Sequence, residues 1–272
     1  MHIARVTFAV VLVLFAVACE TVPITGRSQV ILFSEQEVSQ LADKHHVQFM
    51  TEQRQKGTIV GSGSAADSAN VAMVDRVGRR IVDAAGLASQ YKWEMTLIRD
   101  NQANAFVLPN GKIVVYTGLL GPSRNEAGLA AVLGHEVGHV TARHSAERLS
   151  QSMLAQAGVQ AANVAVAAYD PRFAAVTGAA LGLGVQYGAL MPYNRAHESE
   201  ADHLGIIYMA KAGYDPAESI ALWERMEAGG SGGTPQWLSS HPSPATRRTQ
   251  LREWLPEAQR YYKDRSLPVP SR

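Results

Sequence analysis

The stretch His-Glu-Val-Gly-His at residues 135–139 determines how this 272-residue sequence is interpreted. Residues four apart lie on one face of a helix, so His135 and His139 can bring two imidazoles to a single metal ion. Glu136 follows His135 directly and would lie beside a water on that ion, where its carboxylate can accept a proton. Two ligands and a base in this spacing predict a hydrolytic site with one Zn²⁺ per chain.

The residues around this motif predict a capped and partly buried helix. Ser123 is expected to cap the helix, and Glu126 to complete a capping box three residues later. A five-residue match alone is common on exposed, alanine-rich helices. Here residues 130–133 and Val137 are apolar, and two unpaired histidines buried among them would be unfavourable without a metal.

A catalytic zinc needs a third protein ligand and one open position. His144 lies five residues beyond His139, and it is predicted to face away because that separation is about 140° round a continuous helix. Segment 198–202 places Glu198 and Asp202 on one helical face and Glu200 on the opposite side. One of the first two can bind zinc while the other accepts the outer N–H of a ligand histidine. Replacing Glu200 by alanine is then expected to change neither metal binding nor activity.

The remaining pattern predicts a mostly helical α+β fold. Ser34 and Glu37 form a capping box that starts a helix, and Val71–Ala85 has apolar residues at helical spacing. Three short strands are predicted at 93–98, 105–108 and 113–116, with the Asn110-Gly111 turn joining the last two. Beyond residue 117 every segment is predicted to be helix or loop, so the fold has one small sheet.

The start of the chain has the pattern of an export signal, because His2 and Arg5 precede an uncharged apolar run. Residues 1–18 are predicted to be a lipoprotein signal peptide, with the single cysteine, Cys19, as the lipidated residue. A plain secretory signal with an incidental cysteine is the alternative. Residues 19–33 would form a lipid-anchored tether on the periplasmic side of a bacterial cell envelope. Glu20, rather than Asp, after the cysteine favours the outer over the inner membrane.

The rest of the chain is predicted to be one metallopeptidase domain, residues 34–256, followed by a disordered tail, residues 257–272. Residues 173–194 carry no charge, but the Ala and Gly content of 158–191 favours a buried helical hairpin over a membrane span. Membrane insertion of this segment is the alternative. The formal net charge is +1, so no field attracts nucleic acid.

The motifs at 135–139 and 198–202, with Ser240-His241-Pro242 and Arg247, resemble those of peptidase family M48. This zinc metallopeptidase family includes the CAAX prenyl proteases and HtpX-like proteases. The resemblance covers residues 21–256 and implies a zincin fold of the gluzincin type, with the small sheet bordering the active-site cleft. It implies Glu198 as the third zinc ligand and Asp202 as the acid behind a ligand histidine. Thr25-Gly26-Arg27 is similar to the small bacterial lipoprotein members.

The resemblance also implies roles for one strand and for His241. Asn104, Ala105 and Phe106 would border the cleft, where an extended substrate adds as a further strand. Two roles of His241 are open. It can donate a hydrogen bond to the oxyanion that forms during attack, or it can enter the open zinc position as a latch.

Two functions from different classes follow. The first is a zinc-dependent metalloendopeptidase that cleaves extended or misfolded polypeptides at the bacterial cell envelope, in protein quality control. The alternative is a zinc-stabilised lipoprotein chaperone or assembly scaffold for envelope proteins. The expected partners are unfolded protein substrates, the membrane through the lipid anchor, and envelope assembly machinery.

Overall fold

The computed structural model describes residues 19–61, 63–169, 191–228, 241 and 246–264. The mostly helical α+β fold predicted from the sequence is confirmed. Residues 1–18 and 170–190, which belong to the predicted signal peptide and helical hairpin, lie outside the described residues. In chain order the elements are β1 (Cys19–Thr21), β2 (Ser28–Val30), α1 (Glu35–Lys56), α2 (Ala65–Ala84), β3 (Glu94–Ile98), β4 (Ala105–Leu108), β5 (Lys112–Tyr116), α3 (Thr117–Ser123), α4 (Glu126–Thr141), α5 (His144–Tyr169), α6 (Met191–Lys211), α7 (Ala217–Ala228) and α8 (Arg247–Lys263).

The main sheet has three strands in the order β3–β5–β4. β3 pairs with β5 in parallel, and β4 pairs with β5 antiparallel, with Ala105 opposite Val115. The turn between β4 and β5 contains Gly111 at φ 80°, a left-handed conformation that glycine adopts without strain. Because β5 lies between the other two strands, β4 is one of the two edge strands of this sheet, and it packs against α4.

Helix caps follow the sequence prediction at α1 and differ from it at α4. At α1 the Ser34 hydroxyl accepts from the Glu37 backbone, and the Glu37 carboxylate accepts from the Ser34 backbone, as predicted. At α4 the predicted cap, Ser123, is wrong. Asn125 caps the helix, because Ser123 belongs to the separate helix α3 and its hydroxyl donates to the Leu119 carbonyl at 2.8 Å.

α4 runs through the hydrophobic core, and every residue from Gly128 to Thr141 is buried. It packs against α6 on one side and against α2 and the sheet on another. Glycines allow the approach to α6: a Cβ on Gly134 would lie 2.7 Å from the Gly205 carbonyl oxygen. A Cβ on Gly205 would likewise lie 2.7 Å from the backbone nitrogen of His135. The two helices that carry the predicted zinc ligands are thus in backbone contact.

The segment 19–33 is not an extended tether, contrary to the sequence prediction. β1 and β2 pair antiparallel, with Cys19 opposite Val30, and form the N-terminal hairpin (residues 19–30). Val22 is buried in the hydrophobic core. After the hairpin, the Leu32 backbone donates to the Ser150 hydroxyl of α5 at 2.9 Å. The segment packs on the domain because it has apolar side chains and backbone groups that find partners there.

Two other parts of the chain differ from their predicted description. α8 continues past residue 256 to Lys263, with Ala258 and Tyr261 buried in the core. Of the predicted tail, residues 265–272 lie outside the described residues. Segment 158–169 is not part of a buried hairpin, because the buried positions described in α5 end at Ser150 and Val164 is 69% exposed. Within the described ranges, none of the helices has the length and apolar character needed to cross a membrane.

Candidate metal centre

Four donor groups converge where α4, α6 and His241 meet. The Nε2 atom of His135 lies 3.1 Å from His139 Nε2 and 3.2 Å from Glu198 Oε2. His139 Nε2 lies 3.4 Å from Glu198 Oε1, and His241 Nδ1 lies 3.3 Å from His135 Nε2 and 3.1 Å from Glu198 Oε2. In a tetrahedral zinc site with bonds of about 2.0–2.1 Å, ligand atoms are about 3.3–3.4 Å apart. The donor types and their spacing therefore fit one tetrahedral zinc ion.

The pKa values of these buried ligands are strongly shifted. Burial alone would lower the pKa of His135, but Asp202 and Glu198 have the larger, opposite effect and raise it to about 9. Burial holds the pKa of His139 well below its ordinary value despite the nearby Glu198. Burial would raise the pKa of Glu198, but hydrogen bonds from His135 and His241 hold it far below its usual range. Glu198 is thus ionised and His139 neutral, the states in which these two groups bind zinc, whereas His135 must release a proton before it can bind the ion.

His135 is held from behind by Asp202 and Arg247. Its Nδ1 lies 2.8 Å from Asp202 Oδ1, which leaves Nε2 directed toward the metal position. Arg247 donates from Nε to the other oxygen of Asp202, and its guanidinium carbon lies 3.6 Å above the Trp223 ring. We call the series His135–Asp202–Arg247 the direct arm. Asp202 lies where the family resemblance implies.

His139 is held from behind by a second histidine. The Nδ1 atoms of His139 and His144 are 2.7 Å apart, and His144 Nε2 lies 2.9 Å from Glu200 Oε2. The prediction that His144 faces away is wrong, because α4 ends at Thr141 and Arg143 adopts φ 54°. The chain therefore turns and brings His144 back toward the ligands. Burial lowers the pKa of His144 to about 4, against the opposing effect of Glu200, so its ring is neutral at pH 7.

Arg27 of the N-terminal hairpin connects Glu200 to a second buried carboxylate. Its Nε and one terminal nitrogen donate to Glu200 Oε2 at 2.9 and 2.7 Å. Its two terminal nitrogens donate to the two oxygens of Glu147 at 2.8 and 2.7 Å, and Thr25 donates its hydroxyl to Glu200. Burial raises the pKa of both carboxyls, but hydrogen bonds lower each to about 2. We call the series His139–His144–Glu200–Arg27 the relayed arm.

The contacts of Glu200 overturn a further sequence prediction. Glu200 lies on the opposite side of α6 from Glu198, as expected, but it is buried and bonded to His144. The expectation that Glu200→Ala is neutral therefore has no structural basis.

A second group of possible metal donors lies behind the first. His144, Glu147 and His197 offer donor atoms within 4.8 Å of one another. Both nitrogens of His144 already make hydrogen bonds, and both oxygens of Glu147 accept from Arg27. The His144 and His197 rings are stacked with centroids 4.1 Å apart, so their nitrogen lone pairs lie in nearly parallel planes. These contacts leave no common point for an ion among the three.

Glu136 and His241 contact each other at the edge of the centre. Glu136 is buried, and its Oε1 lies 3.3 Å from His241 Nε2. The other nitrogen of His241, Nδ1, is the one that faces His135 and Glu198. His241 thus lies between the proposed base and the ligands, with Nδ1 at the fourth corner of the tetrahedron.

The strand assigned to substrate by the resemblance is the edge strand β4. Ala105 is buried, and the Phe106 ring contacts Phe49 of α1 with centroids 5.5 Å apart. Asn104 precedes the strand, and its buried Oδ1 has no hydrogen-bond partner among the described residues. A small pocket lies between α1, the β4–β5 turn and the end of α4. Its lining includes Val38, Pro109, His139, Val140 and Ala146.

Four residues behind the ligands were not assigned these contacts from the sequence. Arg27 and Arg247 lie in segments that resemble the family, and this resemblance was the only sequence feature that could have pointed to a role for them. Glu200 lies within the 198–202 motif, but its position opposite Glu198 gave it no predicted role. His144 had no such signal, because helical spacing on a continuous helix directs it away from the ligands.

Comparison with known proteins gives a consistent result. The model of peptidase family M48 matches residues 68–255. The chain is 42% identical to the mitochondrial metalloendopeptidase OMA1 of Schizosaccharomyces pombe, over 68% of this chain and 53% of the relative. It is 31% identical to the human mitochondrial metalloendopeptidase OMA1, over 88% and 46%. It is 26% identical to the beta-barrel assembly-enhancing protease of Escherichia coli, over 92% and 50%. The chain spans about half the length of the curated relatives it matches.

These relatives correct the predicted location. The relatives of 42% and 31% identity are mitochondrial by name. The assignment to the periplasmic side of a bacterial outer membrane is therefore wrong. The small lipoprotein subtype that was inferred together with it is unsupported.

Proposed function

The chain belongs to peptidase family M48, and on that premise we propose that it is a zinc-dependent metalloendopeptidase that cleaves extended or misfolded stretches of protein. The model of this family matches residues 68–255 of the chain. The observation that carries the proposal is the set of buried donors at tetrahedral spacing with the Glu136 carboxylate beside it.

His135, His139 and Glu198 would hold the ion, one per chain. Zinc in this position polarises a carbonyl oxygen and lowers the pKa of water. Glu136 accepts the proton of the attacking water and returns it to the leaving amine. Because Glu136 is buried, this proton stays within the site and need not exchange with bulk solvent.

Substrate would enter as an additional strand on β4. The inner edge of β4 pairs with β5, so the backbone groups of its other edge can pair with an extended peptide. Such pairing depends on hydrogen bonds to the substrate backbone more than on its side chains. It therefore requires an unfolded substrate and gives broad selectivity.

Replacing Glu136 by glutamine tests the function. The variant should keep one zinc per chain and lose cleavage of unfolded casein by about 10²–10⁴-fold, because the base is removed and no ligand is changed. Zinc content and initial rates of cleavage measure the two effects. Glu52→Gln, on an exposed part of α1, is the matched control and should behave as wild type. Full activity in Glu136→Gln excludes the mechanism, and a wild-type chain that binds zinc and casein without cleaving supports the chaperone alternative.

His241 is proposed to be a resting latch that becomes an oxyanion donor when substrate displaces it from the fourth corner. We expect His241→Ala to weaken zinc binding, because a donor is removed. Turnover separates the roles: a rise in basal cleavage indicates the latch, and a fall of about 100-fold or more indicates the oxyanion donor. Wild-type zinc affinity together with wild-type turnover would exclude both roles.

A further inference from the structure

The contacts behind His139 allow one arrangement of protons when its Nε2 binds a metal. A neutral imidazole has one N–H, so His139 then carries its proton on Nδ1 and donates to His144 Nδ1 at 2.7 Å. His144 must accept there, which places its own proton on Nε2. That N–H faces Glu200 Oε2 at 2.9 Å, where a carboxylate accepts it. Each group thus fixes the tautomer of the next.

We infer that Arg27 and Thr25 of the N-terminal hairpin are positioning residues for the zinc ligand His139, acting through Glu200 and His144. The inference rests on the proposed zinc site. It adds to that site a segment that is distant in sequence, since Arg27 and Glu200 are 173 residues apart. Neither hairpin residue touches the ligand atoms. Their effect is on the orientation of the ring that binds.

The charges explain why an arginine stands at position 27. The side chains of Glu147 and Glu200 are 1% and 5% exposed, and two carboxylates so buried need a cation between them. The planar guanidinium donates to three of their four oxygens, which fixes both carboxylates in position. Thr25 donates to the fourth, Glu200 Oε1.

The hairpin also holds the chain reversal that makes the relay possible. Arg143 has a left-handed backbone conformation, which is unfavourable in a residue other than glycine. Its guanidinium donates to Glu20 of β1 and, at 3.0 Å, to the Phe33 carbonyl. The N-terminal segment therefore stabilises both the turn before His144 and the carboxylate after it. Two independent contacts lead from the hairpin to the same imidazole.

The test measures zinc affinity in the full chain by competition with a chelator, alongside the unfolding temperature of the zinc-depleted protein. Arg27→Ala and Glu200→Gln should weaken zinc binding by about 10–100-fold, the effect of losing a partner behind a ligand histidine. Arg27→Lys should weaken zinc binding less than Arg27→Ala, because lysine keeps the positive charge but lacks the planar set of donors of the guanidinium. Arg79→Ala removes an exposed arginine that pairs with Asp75 within α2, and it should leave zinc affinity unchanged.

Two results would overturn the inference. One is wild-type zinc affinity in Arg27→Ala and Glu200→Gln, including the case in which only the unfolding temperature falls, because the hairpin would then be structural alone. If Arg27→Ala does not fold, Thr25→Val replaces it, since this change removes one donor and keeps the shape. The other is a nitrogen NMR spectrum of the zinc-loaded chain that shows His144 protonated at Nδ1. A wild-type chain that binds no zinc contradicts the proposed function instead, and the tautomers remain measurable in that chain.

Discussion

The direct arm and the relayed arm hold ligands one turn apart on α4, but they are built differently. His135 meets its carboxylate directly, whereas His139 reaches a carboxylate through a second imidazole. The direct arm ends at Arg247 in α8, and the relayed arm ends at Arg27 in the N-terminal hairpin. The two sides of one metal centre therefore depend on segments near opposite ends of the chain, and the centre is complete only when both are docked.

This difference also determines what could be predicted from the sequence. Helical spacing places His135 with His139, and Glu198 with Asp202, on single helical faces, and the family resemblance combined these two pairs into one centre. The relayed arm needs a helix break at Arg143 and a hairpin whose arginine bonds to Glu200, 173 residues away. No spacing rule describes either feature. His144 was therefore expected to face away from the ligands, and Glu200, although placed on the correct side of α6, was expected to have no role.

The fold shows the same division between local and distant causes. The α1 capping box and the β4–β5 turn were predicted because their signals lie within a few residues. The N-terminal hairpin was read as a tether because its strands are three residues long and too short to show alternation. Its stability comes from distant contacts, above all the packing of Val22 and the ion pairs of Arg27.

The largest effect should come from removing a ligand at the end of either arm. His135→Ala and His139→Ala should each lose stoichiometric zinc and hydrolysis, because both imidazoles bind one ion. Metal content after gel filtration checks this, with the exposed His45→Ala as control. If one of the two variants retained its zinc, the arms would not serve a common ion.

A smaller effect should follow from shortening the direct arm. Asp202→Ala should weaken zinc binding by about 10–100-fold without abolishing it, because His135 loses the acceptor that fixes its tautomer. Asp202→Asn should lose less, since its amide oxygen can still accept from the ring. Chelator competition measures both, and an unchanged affinity in Asp202→Ala would mean that the direct arm does not support the metal.

The smallest effect should appear in the acid stability of the ion pair between Arg27, at the end of the relayed arm, and Glu147. The pKa of Glu147 is about 2 in the folded chain against an ordinary value of 4.5. Its carboxylate therefore stabilises the fold above pH 4.5, and this contribution is lost as the pH falls toward 2. For one group, the free energy of unfolding changes by at most about 1.4 kcal/mol per pH unit. Urea unfolding of the zinc-depleted chain between pH 5 and 2.5 gives the free energy of unfolding as a function of pH. This free energy should fall less steeply with decreasing pH in Glu147→Gln than in the wild type. The same pH dependence in both would contradict an ionised Glu147 in the folded chain.

The contact between Gly134 and Gly205 has a consequence for the choice of ion. The distance from the α4 histidines to the α6 carboxylate is set where two backbones touch, with no side chain between them that could yield. A metal of larger radius would need the helices themselves to separate. Selectivity for the size of the ion thus depends on the packing of the two helix backbones and not on the donor groups. An alanine at either glycine would push the helices apart and widen the site.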